Sequence, residues 1–131
     1  MGIEFTITTE IPASPDLVYK AWLDSELHSA MTGGTAHVNA EIGKDFDAWD
    51  GYIHGRNLEL TPGRRIVQSW RTAEFAPSEA DSLLEITLEP LGESTRLTLH
   101  QTNVPEHGMK YKQGWFEAYF EPMQAFFMEQ R

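Results

Sequence analysis

The sequence predicts an α+β domain in which a curved antiparallel sheet of seven strands wraps a long C-terminal helix. Three observations carry this. An alternating strand opens the chain at 3–11, six further segments of strand character run from 36 to 102, and an amphipathic aromatic stretch closes it at 111–127. Short connections between consecutive strands imply antiparallel hairpins. A sheet with one apolar face must cover that face, and only the last segment is long enough to do so. At 131 residues, with no internal repeat or linker, residues 1–131 are expected to form one domain.

The first strand, IEFTITTEI, places Ile3, Phe5, Ile7 and Ile11 on one face. Ser14 then suits an N-cap, Pro15 the first helical position, and Asp16 the positive end of the helix. A helix with Leu17, Val18, Ala21 and Trp22 on one side follows. Asp24-Ser25-Glu26 restarts a second short helix to about Met31, which Gly33-Gly34 stops. The strands are then expected at 36–41, 45–50, 52–61, 65–73, 82–90 and 94–102. Their breaks carry turn chemistry at Ile42-Gly43-Lys44, Asp50-Gly51, Thr61-Pro62-Gly63 and Leu91-Gly92-Glu93-Ser94. The gap 74–81, with Pro77, is the one loose loop.

The final segment holds seven of the fifteen aromatic residues in seventeen positions, which marks it as a buried helix face. At 100° per residue, Trp115, Phe116, Tyr119, Phe120, Met123, Phe126 and Phe127 fall within an arc of ~140°. The helix should begin between Pro105 and Lys110 and end near Glu129. Pro122 removes an N–H and crowds the carbonyl of Ala118, so a bend is expected there. Gly114 permits close approach to a neighbour at some cost in helix stability. An aromatic stripe of this kind packs a core, or lines an apolar cavity if the curved sheet leaves space.

Composition excludes several classes. No cysteine is present, so there is neither a disulfide framework nor a thiol nucleophile. Ten basic against twenty acidic residues, net charge −10, leave no basic footprint for nucleic acid. No apolar run approaches the ~20 residues of a membrane span, and no secretory signal is visible. Met1-Gly2 with Thr6 matches the bare acylation pattern but overlaps a strand and lacks a following basic patch. A cytoplasmic protein is expected. The histidines, His28, His37, His54, His100 and His107, lack metal-pair spacing, and no cofactor motif occurs, so neither metal nor cofactor is expected. His54 and Asp47 lie on neighbouring strands and could pair at the surface. No serine stands in a nucleophile-elbow context.

The element order, one strand, paired helices, six strands and a long helix, resembles the helix-grip fold of the SRPBCC superfamily, which includes START domains and the major birch-pollen allergen. "GKDFDAWDGYIHGRNLELTPGRRIVQSWR" (43–71), "TRLTLHQTNVP" (95–105) and "KQGWFEAYFEPM" (112–123) look like the family of activator of heat-shock protein 90 ATPase, C-terminal-domain type. The resemblance covers essentially the whole chain. It implies a stand-alone bacterial-type member and, from superfamily relatives, either carriage of a small ligand or contact with a chaperone. It also implies that Phe46 and Ile53 face a cavity.

Period two supplies the other inward positions: Ile66, Gln68 and Trp70 on one strand, Leu84, Ile86 and Leu88 on the next, Leu97, Leu99 and Gln101 on a third. In 52–61 the register stays open. Simple alternation from Ile53 puts Gly55, Asn57 and Glu59 inside, whereas a bulge at Gly55 would put Leu58 and Leu60 there. If Glu59 faces the cavity it is a candidate acid, since burial would raise its pKa; the alternative is a solvated or ion-paired strand carboxylate.

The expected ligand contacts are therefore Phe46, Ile53, Asn57, Gln68, Trp70, Leu84, Ile86, Leu97, Leu99, Trp115, Tyr119 and Met123, with Gln68 or Asn57 as polar handle. The leading expectation is non-catalytic binding of a small apolar or aromatic molecule. The alternatives are a chaperone-interaction module and an enzyme, cyclase-, aromatase- or hydrolase-like, that uses Glu59. Either a monomer or a homodimer through exposed strand faces or edges fits.

Overall fold

The computed structural model describes residues 2–130; Met1, part of the acylation pattern, lies outside them. The order is β1 (Ile3–Ile11), α1 (Pro15–Leu23), α2 (Ser25–Thr32), β2 (Asp45–Ala48), β3 (Ile53–Thr61), β4 (Arg65–Thr72), β5 (Ser82–Leu91) and β6 (Ser94–Val104). A helical run follows: a 3-10 turn at Glu106–Met109, α3 (Lys110–Trp115), a π turn at Phe116–Phe120, and α4 (Glu121–Glu129). The strands form one antiparallel sheet in the order β1-β6-β5-β4-β3-β2.

The two short helices begin and end as their caps dictate. Ser14 Oγ accepts from the Leu17 N–H at 3.3 Å, and Asp24 Oδ2 from the Leu27 N–H at 2.9 Å. Gly33, at φ 90°, ends α2 in the left-handed region.

Six strands are described, not seven. Segment 36–41 makes a single bridge to the sheet, His37 with Asp47. Side chains satisfy its other backbone groups in place of a ladder. Ser29 Oγ accepts from the Ala36 N–H at 2.9 Å, and Ser25 Oγ holds both the N–H (2.9 Å) and the carbonyl (3.1 Å) of Val38. Asn57 Nδ2 then donates to the carbonyls of Asn39 (2.9 Å) and Glu41 (3.0 Å). The segment is thus pinned between α2 and β3.

The register of β3 follows neither expected course. Alternation holds from Ile53 through Asn57, which faces Gln68. The next pair is Glu59 with Val67, so the bulge falls at Leu58, 40% exposed, and not at Gly55. After it Leu60 turns inward, half-buried, and Glu59 turns out. The inward triplets of β4, β5 and β6 are all buried as their alternation requires.

The C-terminal run spans the expected residues, and it widens into a π turn immediately before Pro122. The Glu121 N–H donates to the Phe116 carbonyl five residues back. The looser turn immediately before the proline relieves the clash of its ring with the preceding turn.

Candidate functional site

The inner face of the sheet is occupied unevenly. Leu84, Ile86, Leu97, Leu99, Met123 and Phe127 fill its middle as fully buried core. Toward the β2–β3 turn and α3 the filling stops, leaving a cavity of about 440 Å³. Its walls are Trp49, Tyr52 and Ile53 from the turn and β3, Trp70 from β4, and Lys110, Tyr111, Gly114, Trp115, Ala118 and Tyr119 from the helical run. That volume lies in the range of small-molecule sites.

The rings are fixed by one another. Trp115 lies 4.9 Å from Tyr119 and 5.5 Å from Trp70, and Trp70 meets Tyr111 edge-on at 5.0 Å between centroids. Polar tips are mostly consumed in the core. Trp115 Nε1–H donates to Gln101 Oε1 at 2.8 Å, and Gln101 Nε2 to Ser82 Oγ at 3.0 Å. The Tyr111 hydroxyl pairs with Thr72 Oγ1 at 2.6 Å. At the mouth, Glu74 accepts from both the Tyr52 hydroxyl and Lys110 Nζ. The Lys110 ammonium holds the Glu74 carboxyl below its ordinary pKa, and Tyr52 contributes in the same direction.

Trp49 is unusual on two counts. It and Asp50 have φ of 52° and 57°, left-handed values that cost a bulky residue on the order of 1–3 kcal/mol. Its indole N–H is shut off from solvent and has no hydrogen-bond partner among the described residues, a further ~1–3 kcal/mol. The six-membered ring lies against Gly34, where a Cβ would come within 2.5 Å of it.

Gly114 is unusual for the opposite reason. A Cβ added there would meet nothing within 4 Å. The glycine costs about 1 kcal/mol of helix stability relative to alanine and relieves no close approach. The sequence suggested a near neighbour; the structure has open space, and that space belongs to the cavity.

Behind Tyr119 lies the one buried histidine. His28 Nδ1 is 2.8 Å from the Trp22 carbonyl and Nε2 is 2.9 Å from the Tyr119 hydroxyl. A carbonyl only accepts, so Nδ1 carries the proton and Tyr119 donates to Nε2. Burial lowers the His28 pKa, opposed by the bond to Trp22, and burial raises that of Tyr119. The Trp49 indole N–H beside the Tyr119 hydroxyl opposes that rise. Folded His28 therefore stays neutral where an unfolded histidine, pKa about 6.5, already binds a proton. Protons favour the unfolded chain, and stability falls as pH drops below about 6.5 until the folded pKa is passed. Urea unfolding between pH 7.5 and 5 should show this decline, shallower in His28→Gln. Equal slopes in the two proteins would refute the assignment.

Of the twelve expected contacts, Ile53, Trp70, Trp115 and Tyr119 line the cavity. Phe46, Leu84, Ile86, Leu97, Leu99 and Met123 are core, away from its walls. Gln68 and Asn57 are buried and bonded to each other, Gln68 Nε2 to Asn57 Oδ1 at 2.8 Å, with Asn57 spent on segment 36–41. Neither is on the lining of the cavity. Glu59 is outside the cavity, its side chain 63% exposed and paired with Arg65 at 2.7 Å. The bulge at Leu58 is what turns it out. Asp47 lies opposite His54 but takes its hydrogen bond from His37 Nδ1 at 3.0 Å. Among the described residues no cluster of three His, Asp or Glu side chains could hold a metal, and no helix is long and apolar enough to cross a membrane.

The family described as "Activator of Hsp90 ATPase homolog 1-like protein" matches residues 12–127. A human protein, activator of 90 kDa heat shock protein ATPase homolog 1, is 26% identical over 125 residues, 95% of this chain. The match covers 37% of that protein, so the chain spans little more than a third of its length. Among solved structures, an HSP90 activator from Plasmodium falciparum superposes with a TM-score of 0.84 at 23% identity, covering 95% of this chain and 96% of that one. The Aha1 dimer from Colwellia psychrerythraea gives 0.68 at 15% identity, with 98% and 92% covered. These two likenesses are of fold.

Proposed function

Because the chain belongs to the activator of Hsp90 ATPase homolog 1-like family, whose fold leaves an aromatic-walled space between sheet and helix in this protein, we propose that it binds a small apolar or aromatic molecule there without transforming it. The observation that carries the reading is Gly114. A glycine within the helical run, with nothing within 4 Å of where its Cβ would be, preserves volume rather than packing. Trp70, Trp115 and Tyr119 supply flat contact area, and Tyr52 and Lys110 stand at the entrance. The π turn lies in the same wall, where such turns are frequently found at functional sites. An enzyme built on Glu59 has little support, since that carboxylate faces solvent on the other side of the sheet.

The second reading is a chaperone-interaction module, favoured by the human relative's role as an activator of the 90 kDa heat-shock protein ATPase. Only about a third of that relative is matched, so its activity carries over as a proposal alone.

One titration separates the two. The aromatic probe 1-anilinonaphthalene-8-sulfonate should bind one-to-one with Kd of about 1–100 μM, on the order of −5 to −8 kcal/mol. Gly114→Leu should weaken it at least about tenfold by filling the cavity, while melting at or above the wild-type temperature because leucine favours helix. Undiminished binding in the variant would remove the cavity from the account. No binding by either protein, with a rise in chaperone ATPase rate on adding the chain, would establish the second reading instead.

A further inference from the structure

Six of the ten residues around the cavity are aromatic: Trp49, Tyr52, Trp70, Tyr111, Trp115 and Tyr119. Aliphatic side chains do most of the filling in the packed middle of the same sheet face, so burial alone does not call for rings here. What the rings offer an occupant is mainly carbon surface. The Trp115 N–H is bonded to Gln101, and the hydroxyls of Tyr111, Tyr119 and Tyr52 are bonded to Thr72, His28 and Glu74. The face of an aromatic ring is apolar and carries the negative side of its quadrupole. The walls are also inclined to one another. Trp70 meets Tyr111 at 80° and Trp115 at 40°, and Trp115 meets Tyr119 at 49°. Rings set at such angles enclose a rounded group rather than a slit.

A cation already rests on this wall. Lys110 Nζ lies over the Tyr111 ring, 5.7 Å from its centroid. Its charge is matched by Glu74, so the pair adds no net charge at the entrance. The chain as a whole carries −10, which draws cations from solution in preference to anions. An anion gains nothing from such walls beyond the burial of its apolar part. A primary ammonium would give up hydrogen bonds to water that ring carbons do not replace. A quaternary ammonium has no N–H to satisfy, spreads its charge over its methyl groups, and is the cation that aromatic boxes hold best. Resting on the reading of the cavity as a binding site, we propose that it recognises an aromatic quaternary ammonium compound, whose rounded cationic head sits against the rings of Trp70, Tyr111 and Trp115.

The test uses two probes of one shape, phenyltrimethylammonium and tert-butylbenzene, which differ by a charged nitrogen in place of a carbon. Each is titrated into the full chain by two-dimensional NMR, following the Gly114 backbone amide, which is identified by its loss in Gly114→Leu. The ammonium should bind at least about tenfold more tightly than the hydrocarbon. That advantage should persist in about 0.5 M sodium chloride, which strips cations held only by surface charge. Trp70→Leu keeps an apolar wall without the quadrupole, and should cut the ammonium-to-hydrocarbon affinity ratio at least about fivefold. Equal or tighter binding of tert-butylbenzene, or an ammonium advantage that disappears in salt, would overturn the cation assignment and leave the cavity reading standing. So would failure of both probes where 1-anilinonaphthalene-8-sulfonate binds. Failure of all three would overturn the cavity reading itself. Should Trp70→Leu not fold, the ranking of the two isosteres on the wild-type protein, at low and high salt, still decides.

Discussion

Trp115→Ala is expected to lower the unfolding free energy by about 3–5 kcal/mol, the range for removing a large buried aromatic. Trp115 is 3% exposed and touches three other rings, Trp22, Trp70 and Tyr119. Its loss also orphans Gln101 Oε1, a fully buried acceptor that the indole N–H satisfies. Trp115→Phe separates the two contributions, because it keeps a ring but removes the donor, and should cost about 1–3 kcal/mol. Urea denaturation of both variants measures this. A loss below about 1.5 kcal/mol for the alanine variant would mean that the cavity collapses onto the gap, and that the ring cluster is far softer than its contacts imply.

Gly55→Ala should be almost as damaging, about 3 kcal/mol, at the upper end of what overpacking costs. A Cβ at Gly55 would lie 1.9 Å from the Ser69 carbonyl oxygen and 2.7 Å from its carbonyl carbon. Both atoms belong to the backbone of β4, so no rotamer change provides relief. The third neighbour, Phe46 Cε2 at 3.0 Å, closes the remaining direction. The strands must separate where β3 opposes Gly55 to Trp70, and Trp70 is a wall of the cavity. The variant should therefore lose aromatic-probe affinity along with stability. A change of less than about 1 kcal/mol in urea unfolding would show that β3 can shift freely, contrary to the close approach described.

What could be read from the chain divides along physical lines. The inward faces of β4, β5 and β6 were legible because period two is imposed by the pleat and by burial of one side. The cap Ser14 and the helix restart at Asp24-Ser25-Glu26 were legible because such signals are local. Segment 36–41 was not, since its strand-like composition is overridden by Ser25, Ser29 and Asn57, whose bonds to it span 7 to 18 residues of sequence. The bulge in β3 was suspected in the right strand but three residues early. Of the cavity, the helix side was partly visible in the spacing of Trp115 and Tyr119. Trp49 and Tyr52 were missed because Asp50-Gly51 reads as turn, and turn chemistry says nothing of which flanking rings fold back inward.

The π turn has a geometric consequence for the helix that holds these rings. Tyr111, Trp115, Tyr119, Met123 and Phe127 are all buried, at intervals of four. In a helix of 3.6 residues per turn each such step overshoots a full rotation by about 40°, so four steps would carry the last side chain about 160° around the axis from the first. The surplus residue accommodated at Phe116–Phe120 takes back roughly one residue's rotation, about 100°. The net drift falls to about 60°, small enough for five consecutive rungs to stay against the same concave sheet. A strict four-residue repeat that would spiral off its partner surface is thereby held to a nearly straight seam by one local unwinding.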